Sequence, residues 1–95
     1  MIAAFSITPL GVGDSVGAAV ADAVRVVRES GLPNETNAMF TNVEGEWDEV
    51  MGVIKASVME VAKAAPRVSV VIKVDYRPGT VDALGAKLTS VESRL

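Results

Sequence analysis

Between Pro66 and the Pro78-Gly79 pair runs RVSVVIKVDYR, Arg67 to Arg77, whose alternation constrains the fold more than any other stretch. Val68, Val70, Ile72, Val74 and Tyr76 fall on one face at a period of two; Ser69, Val71, Lys73, Asp75 and Arg77 fall on the other. A strand written this way rests one face on a core and leaves the other open, as in an antiparallel sheet covered on one side. Pro78-Gly79 breaks it.

The remaining segments fit around that strand. Ile2 to Pro9 reads as a first strand, with Ala3, Phe5 and Ile7 on one face and Ala4, Ser6 and Thr8 on the other. Pro9 and Gly11 are expected to end it. Asp14 or Ser15 can cap a helix in which Val16, Ala19, Val20, Ala23 and Val27 make an apolar stripe, stopped by Gly31 and Pro33. Asn34 to Glu46 reads as two short strands turning near Ala38-Met39-Phe40. From Trp47 the period changes, and Val50, Met51, Ile54, Val58, Val61, Ala62 and Ala65 mark a second helix ended by Pro66. After the last strand, Val81, Leu84, Leu88, Val91 and Leu95 suggest a third, short helix.

The order β-α-β-β-α-β-α, with right-handed crossovers, interlocks two split β-α-β units. The expected product is an α+β, ferredoxin-like sandwich: a four-stranded antiparallel sheet of order 4-1-3-2, both helices on one face, and a C-terminal helix. Residues 1–95 are expected to form one such domain, since a chain of 95 residues holds a single small core.

Composition removes several function classes. The net charge of −3 supplies no basic footprint for nucleic acid, and the sheet lacks the exposed aromatic pairs on which bases stack. No apolar run approaches the roughly 18 residues of a membrane span, and the N-terminal residues do not read as a signal peptide, so a cytoplasmic location is expected. The chain contains no cysteine and no histidine. Disulfides, thiolate zinc sites, thiol nucleophiles and the commonest general base are therefore excluded. A catalytic pair of carboxylates needs environments that separate their pKa values, and no nucleophile or metal cluster accompanies Glu44 and Glu46. No enzymatic activity, metal or cofactor is expected.

The open face of the expected sheet carries Ser6, Thr8, Asn42, Glu44, Ser69, Val71, Lys73 and Asp75. Its small and mixed-polar residues would let another layer approach, which points to association with a second copy. Glu46 and Asp48 suit a helix N-terminus by charge. Trp47 heads the helical stripe and is expected in the core or at an interface. Glu44 sits on a central strand before that helix starts, where a carboxylate is a poor choice for packing alone.

FSITPLGVGDSV (Phe5 to Val16), TNVEGEWDEVM (Thr41 to Met51) and APRVSVVIKVDYR (Ala65 to Arg77) resemble the small thiamine-binding protein family across nearly the whole chain. Ser6, Pro9, Gly11, Thr41, Glu44, Gly45, Glu46, Trp47 and Arg77 match directly. The turn Asn37-Ala38-Met39-Phe40 departs, because relatives carry glycine and proline there. The resemblance implies a non-catalytic domain that assembles into dimers and tetramers. It also implies binding of thiamine or its hydroxymethylpyrimidine moiety at sites formed as subunits come together.

A site for thiamine wants a carboxylate for the thiazolium cation, hydroxyls for the aminopyrimidine and an aromatic or apolar wall. Glu44 or Asp75, with Ser6, Thr8 and Thr41, is expected to supply the polar part; Trp47, Met39 or Phe40 the wall. The competing reading is a structural or regulatory assembly module with no ligand.

Overall fold

The computed structural model describes residues 1–13, 16–79 and 83–95. The expected cap at Asp14 or Ser15, and Val81 of the third helical stripe, lie outside the described residues. The elements are β1 (Ile2–Leu10), α1 (Val16–Glu29), β2 (Asn34–Thr36), β3 (Thr41–Glu44), α2 (Trp47–Ala62), β4 (Arg67–Asp75) and α3 (Ala83–Glu92). The four strands form one antiparallel sheet in the order β2-β3-β1-β4, the ferredoxin-like arrangement the pattern predicts.

Register fixes which side chains share a face. Ala3 lies opposite both Val43 and Val74, and Phe5 opposite both Thr41 and Ile72. These residues turn toward α1 and α2. Met1, Ala3, Phe5, Val27, Val43, Val50 and Ile54 make the main buried cluster, and Ala19, Ala23 and Val61 a second, with Ile7 packed against both. The two helices meet through small residues. Ser57 is fully buried between them, and its hydroxyl donates to the Val53 carbonyl at 2.9 Å and to Ala23 O at 3.3 Å. Bonding back to its own helix satisfies a hydroxyl that burial would otherwise penalise.

β1 extends through Pro9 to Leu10 rather than stopping at the proline. β3 pairs only with Ile2 to Phe5, whereas β4 pairs along all of β1. Pro9 therefore lies where β1 has one strand neighbour, a position that tolerates its missing N–H. Gly11 then turns the chain at φ 80°; a β-carbon there would stand 2.9 Å from Cγ of Pro66. Conformation and space both require glycine.

Two expectations need correction. Of the two places expected for Trp47, core or interface, the core is excluded: the residue is 49% exposed, with its ring edge-to-face against Tyr76 at 6.1 Å and 83°. The buried stripe of α2 is Val50, Ile54, Ser57 and Val61. Trp47 continues its spacing, but at the first helical position it overhangs the end of the sheet, where Tyr76 meets it. The second correction concerns the open face, which is partly covered. Leu84, Lys87 and Leu88 of α3 lie across a cavity from Ile2, Ala4 and Asp75, and Lys87 pairs with Asp75.

Candidate functional site

β3 is short, so β1 runs on past its end and the sheet has a step beginning at Ser6. The β2–β3 turn borders that step. Asn37 builds the turn: its Oδ1 accepts from the backbone N–H of Met39 and of Phe40, both at 2.9 Å, and its own N–H donates to the Phe40 carbonyl at 2.9 Å. This is the local side-chain-to-backbone bonding that makes asparagine a turn former. It holds Met39 outward, 74% exposed, and leaves Phe40 half-buried.

Between this turn, β1 and α1 lies a cleft of about 240 Å³. Phe5, Ile7, Val20 and Val24 give it apolar walls, while Ser6, Thr36, Asn37 and Thr41 bring polar groups to it. No charged side chain lines it among the described residues. The Thr36 and Thr41 hydroxyls, paired across β2 and β3, stand 3.3 Å apart. Each hydroxyl has one hydrogen to give and two lone pairs. Their mutual bond consumes one donor and one acceptor, so the pair retains one donor and several acceptors for a ligand.

Of the seven residues expected to bind ligand, this cleft gathers Ser6, Met39 and Thr41. It does not gather Thr8, Glu44, Trp47 and Asp75. Thr8 is exposed farther along β1. Glu44 is 5% exposed and stands opposite Ile2 on the other face of the sheet. Trp47 and Tyr76 meet beyond the ends of β3 and β4. Asp75 borders the 280 Å³ cavity under α3. Its carboxyl is held below the usual aspartate range by the hydrogen bond from Lys87, then by the charges of Lys87, Arg77 and Lys73. Within one chain, the seven residues do not form one site.

Sequence reasoning missed Thr36 and Asn37. The signal was present: a turn centred near Ala38-Met39 places Thr36 directly across from Thr41, and asparagine opening a four-residue turn is a turn-builder. The EGEW segment resolves into a junction. The Glu46 N–H donates to Glu49 Oε1 at 3.1 Å, capping α2, and Asp48 and Glu49 put negative charge in its first turn. A β-carbon on Gly45 would lie 3.3 Å from Val50 Cγ2 and 3.4 Å from Leu32 Cδ2, so glycine serves close packing here.

Fold and cleft together define a small α+β domain with an uncharged, partly apolar recess and no group of His, Cys, Asp and Glu placed to hold a metal among the described residues. Nor is any described helix long and apolar enough to cross a membrane. The chain belongs to the thiamine-binding protein family, whose family model matches residues 3–92. That name describes binding rather than a reaction. A UPF0045 protein from Mycobacterium bovis is 58% identical over 96 aligned positions, covering 100% of this chain and 94% of its own length. Among solved structures, a hypothetical protein from Methanocaldococcus jannaschii superposes with TM-score 0.86 at 35% identity, covering 96% of this chain and 94% of its own. A domain of unknown function (DUF77) from Bacillus cereus gives TM-score 0.84 at 34% identity, covering 92% and 85%.

Proposed function

We propose that this protein binds thiamine or its hydroxymethylpyrimidine moiety, without catalysing a reaction, in the cleft between α1 and the β2–β3 turn. The observation that carries this reading is the Thr36–Thr41 hydroxyl pair at 3.3 Å, set in an uncharged recess with apolar walls. An aminopyrimidine presents a ring-nitrogen acceptor beside an amino donor, and the hydroxyl pair answers with a donor beside acceptors. Phe40 and Met39 offer faces against which the ring packs.

Size selects which part of thiamine enters. The cleft, at about 240 Å³, falls below the roughly 300 Å³ at which pockets for drug-sized ligands begin. It suits one substituted heteroaromatic ring. The pyrimidine enters, and the cationic thiazolium stays at the mouth, where solvent rather than a carboxylate balances its charge. The exposed Met39 lies at that mouth, and a second subunit approaching there would close the site, as the family resemblance implies.

The reading is tested by thermal unfolding with thiamine, with hydroxymethylpyrimidine and with the thiazole half alone. A ligand of the native state raises the unfolding midpoint. The first two are expected to raise it and the third to leave it unchanged. No shift with any of them favours the ligand-free assembly module.

A further inference from the structure

Between α3 and the face of the sheet turned away from α1 and α2 lies the cavity of about 280 Å³, separate from the cleft at the β2–β3 turn. One row of the ladder crosses its floor. Glu35 of β2 stands opposite Asn42, Asn42 opposite Ala4, and Ala4 opposite Lys73 of β4. The row therefore carries a carboxylate at one end and an ammonium at the other, with an amide and a methyl group between them. Ile2 extends the apolar middle from the next row, and Leu84 and Leu88 of α3 border it.

Four charged side chains border the cavity, two of each sign. Lys87 and Asp75 answer each other in an ion pair at one wall. Lys73 acts on the Asp75 carboxyl only as the weakest of the charges that hold it low. Glu35 and Lys73 remain, both exposed. Among the described residues, neither these two nor Asn42 makes a side-chain hydrogen bond or ion pair. Three strand spacings, roughly 14 Å, separate the backbones of Glu35 and Lys73. The cavity thus offers two opposite charges at a distance, an amide beside one of them, and an apolar stretch between.

We propose that this cavity binds a short linear zwitterion whose charges are separated by methylenes, an ω-amino acid or a molecule of the same design. Its ammonium pairs with Glu35 and accepts the company of the Asn42 carbonyl oxygen; its carboxylate takes hydrogen bonds from Lys73. Its methylenes lie over Ala4, between Ile2 and the two leucines of α3. A simple cation or anion would answer one end of the row and leave the other. An α-amino acid holds its charges too close together to reach both. Exposed ion pairs are individually weak, so the apolar middle supplies affinity while the charged ends select length and direction. The inference is independent of the thiamine reading, because the cleft lies against α1 and the cavity against α3.

The test is a titration of ω-aminopentanoate into the isotope-labelled full chain, read at the backbone amides of Ala4, Asn42 and Leu88. Two blocked analogues, the carboxamide of the same acid and its N-acetyl derivative, keep the chain and remove one charge each. The expected result is saturable shifts at all three amides. Each blocked analogue should bind about 5- to 10-fold more weakly, between the effect of an exposed ion pair and that of a charge-assisted hydrogen bond. Lys73→Met should erase the preference for the acid over the carboxamide and keep that for the free amine. Glu35→Gln should do the reverse. Both positions are exposed, so the variants are expected to fold. Shifts that do not saturate, equal binding of the acid and both blocked analogues, or glycine binding as tightly as aminopentanoate overturns the proposal. Thermal shifts with hydroxymethylpyrimidine are read separately and do not depend on this outcome.

Discussion

The Oγ1 atoms of Thr36 and Thr41 stand 3.3 Å apart across the β2–β3 pair, and Thr41 is 7% exposed while Thr36 is exposed. Their bond ties the short edge strand β2 to β3 beside the cleft. Thr36→Val and Thr41→Val should therefore couple: a double-mutant cycle in denaturant is expected to return about 0.2–1 kcal/mol of interaction. Additive single-variant losses would mean that the hydroxyls do not stabilise the hairpin through each other.

Trp47→Ala is expected to cost about 1–3 kcal/mol, less than for a fully buried tryptophan. The ring keeps half its surface in water, and the edge-to-face contact with Tyr76 is worth roughly 0.5–1.5 kcal/mol of that total. Tyr76→Leu in the same denaturant melts should recover only the aromatic share. A Trp47→Ala loss above 4 kcal/mol would contradict the exposed placement.

These placements show what the chain spells out and what it does not. The spacing of Val50, Ile54 and Val61 records burial directly, and the alternation of Val68 to Asp75 records it except at Ile72, which is 40% exposed at the sheet edge, so sheet order and helix faces were legible from residues alone. Trp47 misled because it keeps the helical spacing: a stripe says which way a side chain points, not whether the sheet still lies beneath it. The cleft was half legible. Residue patterns single out Ser6, Met39 and Thr41 but join them to Glu44 and Asp75, which stand at the far end of the sheet. Strand parity alone places Thr41 with Phe5, on the helix side. What parity could not show is the step where β3 ends beside Ser6, because strand ends depend on pairing across the sheet.

Ser57→Leu is expected to destabilise the fold by about 1–3 kcal/mol or more, through overpacking where α1 and α2 approach at Ala19, Ala23 and Ser57. Ser57→Ala should cost about 1 kcal/mol or less, because the carbonyls it contacts keep their helical partners. Urea midpoints distinguish the two. A tolerated leucine would show that the helices have room to separate.

The docking of α3 is expected to depend on acid pH. Lys87 holds the Asp75 carboxyl below its ordinary value, so the ion pair's contribution is complete above the unfolded aspartate value of about 4. It is lost as pH falls through the lowered folded value. Amide shifts of Leu88 to Val91 should move in that window, and Lys87→Met should abolish the step. Shifts that stay constant to pH 2 in the wild type would mean that the pair does not tether the helix.

The most direct test of where the ligand sits is calorimetric titration of hydroxymethylpyrimidine into wild type, Thr41→Val and Glu44→Gln. Thr41 borders the cleft, whereas Glu44 lies on the opposite face of the sheet. Loss of a hydroxyl partner costs roughly 1–3 kcal/mol, so Thr41→Val should weaken binding about 5- to 150-fold while Glu44→Gln binds as wild type does. Undiminished binding by Thr41→Val together with a loss in Glu44→Gln would contradict the account and move the ligand to the other face.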